Sequence, residues 1–350
     1  MSRKKSRNSR VRASIVHDVK EALNAIDMIG ESKYTARKNG IKGIHSLKQK
    51  KNSMSDSQNF VKWVRAEYGI KKLSYVSEEH YRGYLTYLEN KGVSKGHLIN
   101  VETSLRLLEN GHKKVIQNEK NDFEGFCTEK RIYRLERNEG LQNRSYTVNE
   151  INSIITYSST EVAKAIELMS QLGLRVKEAV NIRVEHFIQK KDGCWQININ
   201  DGNKAGGAGI TKAGRFREVE VPKEFTDTLE CFLEGKKPVD RIVGVSYDTV
   251  RKGVNIACKK ANIEQRGRGC HGFRHAYARK LFDTLASDEQ KRMMNRVLDN
   301  RSIGRKADYG MVSKNDKELF LSTKSIMDQV HGELGHGKSR WRLAMVYLGK

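Results

Sequence analysis

The chain contains no proline before Pro222, and only one more, Pro238, after it. Proline lacks a backbone donor and its ring clashes with the preceding turn, so helix interiors exclude it. More than two hundred proline-free residues leave helices free to form, and the apolar spacing says where. In FVKWVRAEYG, Phe60, Trp63 and Val64 recur at i, i+3 and i+4, and Gly69 is placed to end the helix. In SEEHYRGYLTYLENKG the same spacing joins Tyr81, Tyr84, Leu85 and Leu88, with Ser77 to cap the start and Gly92 the end. VSKGHLINVETSLRLLENG predicts another helix, with Ile99, Leu105 and Leu108 among its apolar positions. Residues 15–118 therefore read as a helical domain.

Residues 119–146 are polar and lack a period, and read as a linker. Thr147 followed three residues later by Glu150 is capping-box spacing before an apolar run, so a second domain is expected over 147–350. Two helices should open it. Period-two alternation in CWQININ (194–200) and FREVEV (216–221) then predicts strands joined by a glycine-rich loop, and helices resume after Pro222. The expected fold class is mainly α with a small antiparallel β-sheet or hairpin.

The formal charge is +24 over 350 residues. So large a basic excess points to a polyanionic partner, nucleic acid first. Residues 1–14 hold six basic residues and no acidic one, which predicts a flexible arm able to touch phosphates or simply to solubilise the chain. No apolar stretch approaches the length of a membrane span, and the N-terminus lacks the apolar run of a signal peptide. A cytoplasmic, nucleoid-associated protein without a membrane partner is expected. The five cysteines are scattered with no C-x-x-C pair, which argues for free thiols and against zinc.

Four stretches carry chemistry-bearing residues. In ELMSQLGLRVKEAVNIR, Gly173 breaks a helix and Arg175 starts the next, where a guanidinium fork can meet a phosphate. In CHGFRHAYARKLF, His271 and Arg274 share a helix face, while Phe273, Tyr277 and Leu281 belong to the opposite, packed side; His275 reads as structural. LGHGKSRW brings His336, and VYLGK brings Tyr347. Taken singly, each has an ordinary explanation: a solvated arginine, a surface histidine, a packing tyrosine. Their joint order in a strongly basic chain is far more specific.

In that order, Arg, His-x-x-Arg, Gly-His and Tyr, the chain resembles the tyrosine recombinase (phage integrase) family. LGLRVKEA resembles the family's first arginine box, HGFRHAYARKLF its His-x-x-Arg box, and ELGHGKSRWRLAMVYLG its Leu-Gly-His and nucleophile segment. The resemblance covers about 147–350; residues 55–112 are more loosely similar to the family's helical core-binding domain. It implies a C-shaped clamp on double-stranded DNA and a site-specific recombinase acting through a 3′-phosphotyrosine, without metal, ATP or other cofactor. Four protomers would act on two sites, with accessory DNA-bending or directionality proteins as further partners. Integration or excision of a mobile element is the expected role.

The resemblance also implies roles for the residues. Tyr347 is the nucleophile, Arg175 and Arg274 grip the phosphate, His271 is the base and His336 a phosphate ligand. A hairpin lysine, Lys212 with Lys204 as rival, protonates the leaving oxygen; Glu178 orients an arginine and His275 supports. Two alternatives stand beside this: a type IB topoisomerase, and an inactive DNA-binding relative.

Two spacings depart from the family's pattern. His271 and His336 lie 65 residues apart, so 284–328 reads as an insertion, two helices about a polar loop, serving subunit contact, DNA contact or surface padding. The interval from His336 to Tyr347 is slightly long, but Tyr347 is the only tyrosine in it. With three residues after Tyr347, chain exchange between subunits is expected to use its helix, the insertion or the N-terminal domain.

Overall fold

Serines open most helices of the first unit and glycines close several of them. In the computed structural model, residues 14–117, 123–136, 143–199 and 217–349 are described. The chain divides into two compact units, Met1–Glu136 and Arg137–Lys350. The first contains α1 (Ile15–Ala25), α2 (Lys33–Lys38), α3 (Leu47–Tyr68), α4 (Glu78–Asn90) and α5 (Lys95–Ile116). Ser14, Ser32 and Ser46 each accept the backbone N–H of the third residue of the helix they precede, and Gly69 ends α3 in a left-handed turn. The helices close on a core of Val19, Leu23, Phe60, Val64, Tyr81, Leu85, Leu105 and Leu108. Full burial of each aliphatic or aromatic side chain contributes about 1.5–3 kcal/mol.

α1 and α5 cross in close contact. A side chain at Gly111 would place its Cβ 2.0 Å from the Ala22 carbonyl oxygen, so α5 runs through this glycine because α1 needs the space. Leu98 is buried where the periodicity favoured Ile99, which is only half-buried. Part of the expected linker is folded onto this unit: Phe126 is fully buried, and the backbone N–H groups of Ile132 and Tyr133 donate to the carboxylate of Glu102. The arm, apart from Ser14, lies outside the described residues.

The second unit opens with α6 (Val148–Thr156), whose capping box is formed by Thr147 and Glu150, and α7 (Thr160–Gln171). The short α8 (Val176–Ala179) precedes β1 (Phe187–Gln189), β2 (Trp195–Ile199) and β3 (Arg217–Glu220). These form an antiparallel sheet in that order, with Phe187 and Val219 flanking Ile197. β1 was not anticipated: three residues are too few to show alternation. After α9 (Thr226–Leu233) and α10 (Tyr247–Lys260) come α11 (His271–Leu285), α12 (Asp288–Ser302), α13 (Lys314–Glu333) and α14 (Trp341–Tyr347).

α11 departs from its expected two-sided pattern. Arg274 is fully buried alongside Phe273 and Ala278, because one apolar cluster receives Phe273 and a second receives Tyr277 and Phe282. Lys280, Asp283 and Thr284 take the exposed face of the helix, whereas Arg274 lies on the covered side and must find polar partners inside. The 284–328 segment is two helices about a loop, with a small core of its own: Met293, Val297, Ala307 and Met311, against which Phe320 and Trp341 pack. α12 thereby supports α14, so the segment is more than surface padding.

Candidate active site

The site is assembled from four places in the second unit. Gly173 leaves α7 at φ +59°, a conformation that favours glycine, and a Cβ there would lie 2.4 Å from the Tyr277 ring. The turn delivers Arg175 to the start of α8. Glu178 then bridges: it accepts from the Arg175 backbone N–H at 2.7 Å and from its guanidinium Nη1 at 2.7 Å, and lies 3.8 Å from Arg274 Nη1. Arg274 donates to the carbonyls of Gly173 and Leu334, and Arg175 Nη2 reaches the Leu334 carbonyl at 3.4 Å. One buried carboxylate between two guanidiniums leaves a net positive charge, which suits a phosphodiester.

The Leu334 carbonyl is presented by the end of α13. Gly335 takes φ +64° and the His336 N–H bonds back to the His331 carbonyl at 2.7 Å. This six-to-one closure is what a Leu-Gly-His sequence does at a helix end, and it brings His336 to the site with its ring centroid 5.3 Å from that of Tyr347.

Tyr347 lies on α14, nearly buried, with its hydroxyl oxygen 3.2 Å from His271 Nε2. Desolvation, with Arg274, Arg175 and Arg144 nearby, pushes His271 down to about 4, although the residue keeps an exposed edge. At neutral pH it is therefore an uncharged ring able to take the phenol's proton. His275, on the next turn of α11, is buried and stacks on Tyr347 at 4.2 Å between centroids with the planes 14° apart.

Arg175, Glu178, His271, Arg274, His275, His336 and Tyr347 are thus brought together. Lys212 and Lys204 lie outside the described residues. Sequence reasoning missed the Leu334 carbonyl, Arg144 and the buried His331. A backbone oxygen leaves no mark in a sequence, and the other two had no motif to flag them. Among the described residues, no group of three or more His, Cys, Asp or Glu side chains is arranged to hold a metal ion. No helix among them is long and apolar enough to cross a membrane.

Residues 144–303, which carry Arg175, His271 and Arg274, match the model of the phage integrase family. The match spans under half of the 350 residues, and over this segment the chain is similar to that family. His336 and Tyr347 lie beyond the matched residues, and it is the fold that brings them beside Arg175, His271 and Arg274. Similar solved structures include the XerH site-specific recombinase bound to its difH substrate, at 15% identity and TM-score 0.51, covering 96% of this chain and 88% of that one. A lambda integrase dimer bound to a COC′ core site gives 16% identity and TM-score 0.51, covering 82% and 75%. At these identities the likeness is one of fold. No curated protein matches the chain by sequence.

Proposed function

We propose that this chain is a site-specific DNA recombinase that cleaves and rejoins strands through a tyrosine–phosphate bond. One observation carries the site assignment: the Tyr347 hydroxyl meets His271 Nε2 at 3.2 Å beside two arginines that share the Leu334 carbonyl. Tyr347 oxygen attacks phosphorus and its proton passes to His271. The bond to the 5′ oxygen breaks as the 3′-phosphotyrosine forms, and Lys212 gives the leaving oxygen its proton. Arg175 and Arg274 exchange protein carbonyls for non-bridging oxygens and stabilise charge as it builds; His336 adds a hydrogen bond. Rejoining is the reverse step with a new 5′ hydroxyl, so the phosphodiester's energy is conserved.

Duplex DNA is the substrate class, in keeping with the DNA-bound structures whose fold the chain shares. In the first unit, a groove of about 680 Å³ whose lining includes Lys33, Arg37, Lys42, Lys113, Arg131 and Arg134 against Glu109 and Glu129 keeps a basic excess that supports contact with phosphates. We assign the helical segment 15–118 to DNA binding and 147–350 to catalysis. Assembly is as four copies on two sites in the cytoplasm, with accessory DNA-bending or directionality proteins, and the role is mobile-element integration.

The test mixes wild-type protein or Tyr347→Phe with supercoiled DNA from the protein's own genetic neighbourhood, with a chelator present. SDS-resistant adduct at a discrete position, mapped to Tyr347 by mass spectrometry and absent from the variant, is expected. Adduct at many unrelated positions would instead indicate a topoisomerase, and adduct that survives Tyr347→Phe would remove Tyr347 as nucleophile.

A further inference from the structure

His275 presents an unusual choice for a buried position. It is 1% exposed, and neither ring nitrogen has a hydrogen-bond partner. Leaving a buried polar group unsatisfied is destabilising, because it loses water and gains no partner in return. Burial, with His271 and nearby arginines, pushes it down to about 3, so the ring is neutral. It makes one well-defined contact of its face, the parallel stack on Tyr347.

The helix explains why that contact matters. His271 and His275 stand one turn apart on α11, so they share a face. Their rings are perpendicular, 85° apart with centroids at 5.1 Å. Tyr347 lies edgewise to His271, at 72°, and flat against His275, at 14°. α11 thus supplies both the atom that meets the hydroxyl and a wall that fixes the plane of the phenol. Tyr347 needs such a wall, because α14 has only seven residues and ends at it.

We propose that His275 is a positioning residue for the nucleophile: its stacked ring fixes the phenol plane in which the Tyr347 hydroxyl meets His271. The proposal rests on the recombinase reading for its catalytic consequence, but the positioning itself belongs to the folded protein. The stack requires a flat ring and does not require ring nitrogens, so phenylalanine should replace it and alanine should not.

The experiment compares wild type, His275→Phe and His275→Ala in the full chain. The first readout is the ¹⁹F resonance of 3-fluorotyrosine placed at Tyr347, without DNA. A narrow line near the wild-type shift is expected for His275→Phe, and a shifted or broadened line for His275→Ala. The second is single-turnover adduct formation at saturating protein, with DNA affinity measured alongside. His275→Ala should slow adduct formation by at least ~10-fold with affinity unchanged, since small misplacements of reacting groups cost that much or more, and His275→Phe should restore most of the rate. A wild-type ¹⁹F line in His275→Ala would overturn the proposal. So would a His275→Phe enzyme as slow as His275→Ala, which would shift the role to the ring nitrogens. The ¹⁹F line decides the positioning without cleavage, whereas absence of adduct from wild type counts against the recombinase reading.

Discussion

Glu178 shows how one side chain can serve both stability and chemistry. It is 1% exposed and holds the backbone and guanidinium of Arg175 while facing Arg274. Breaking a buried ion pair from one side costs about 3–5 kcal/mol, because the remaining charge is left uncompensated. Glu178→Gln should therefore lower the urea midpoint and reduce adduct formation at least ~10-fold, as the arginines lose their fixed orientation. The rate loss is checked at a urea-free condition where the variant is folded. Two buried histidines set a pH limit. His275 and His331 are pushed down to about 3 and about 4, mainly by burial. Their unfolded values lie near ~6.5, so between there and about 4 the unfolded chain binds protons that the folded chain refuses. Stability is unaffected above that window and falls as pH falls through it, by about 2 kcal/mol per histidine at pH 5. Urea midpoints at pH 7.5 and pH 5 should show the loss, and His331→Phe should reduce it.

Among the elements, the turn after α7 and the seating of α14 decide most. Gly173 needs positive φ and sits against Tyr277, so Gly173→Ala should both destabilise the unit and displace Arg175. A lowered Tm with weakened adduct formation is the expected result. α14 is held from outside its own sequence. Trp341 stacks on Phe320 at 5.8 Å, Asp328 accepts from the Ser339 N–H at 2.6 Å, and Arg279 donates to the Gly349 carbonyl. Trp341→Ala should speed hydrogen exchange across 341–347 while leaving α6 and α7 protected, because the lost contacts are local. Unchanged exchange in that segment would mean that α12 and α13 do not hold the helix that carries Tyr347.

For the whole molecule, charge is the governing quantity. At +24, binding to DNA should weaken steeply with salt. Replacing Lys33, Arg37 and Lys42 with alanine should lessen the slope of log K against log salt by up to about 2.7, at ~0.9 per phosphate contact. An unchanged slope would take the groove out of the DNA interface. The same substitutions should leave Tm nearly unaltered, as none of the three is in the core.

Features set by short-range chemistry were legible in one dimension. Helix starts at Ser77 and Thr147, the helix end at Gly69 and the β2–β3 alternation follow from capping, backbone freedom and period, all short-range. The order Arg175, His271, Arg274, His336 and Tyr347 was equally legible, because residue types and their order survive in one dimension. The remainder came from the packing of the folded chain. It buried Arg274 between two apolar clusters, gave both arginines a shared carbonyl at Leu334, and turned the 284–328 segment into a support for α14. It also set His275 flat on Tyr347. Each of these depends on groups distant in sequence meeting at fixed distances, and no spacing or propensity encodes where a carbonyl or a ring face will lie once the core has closed.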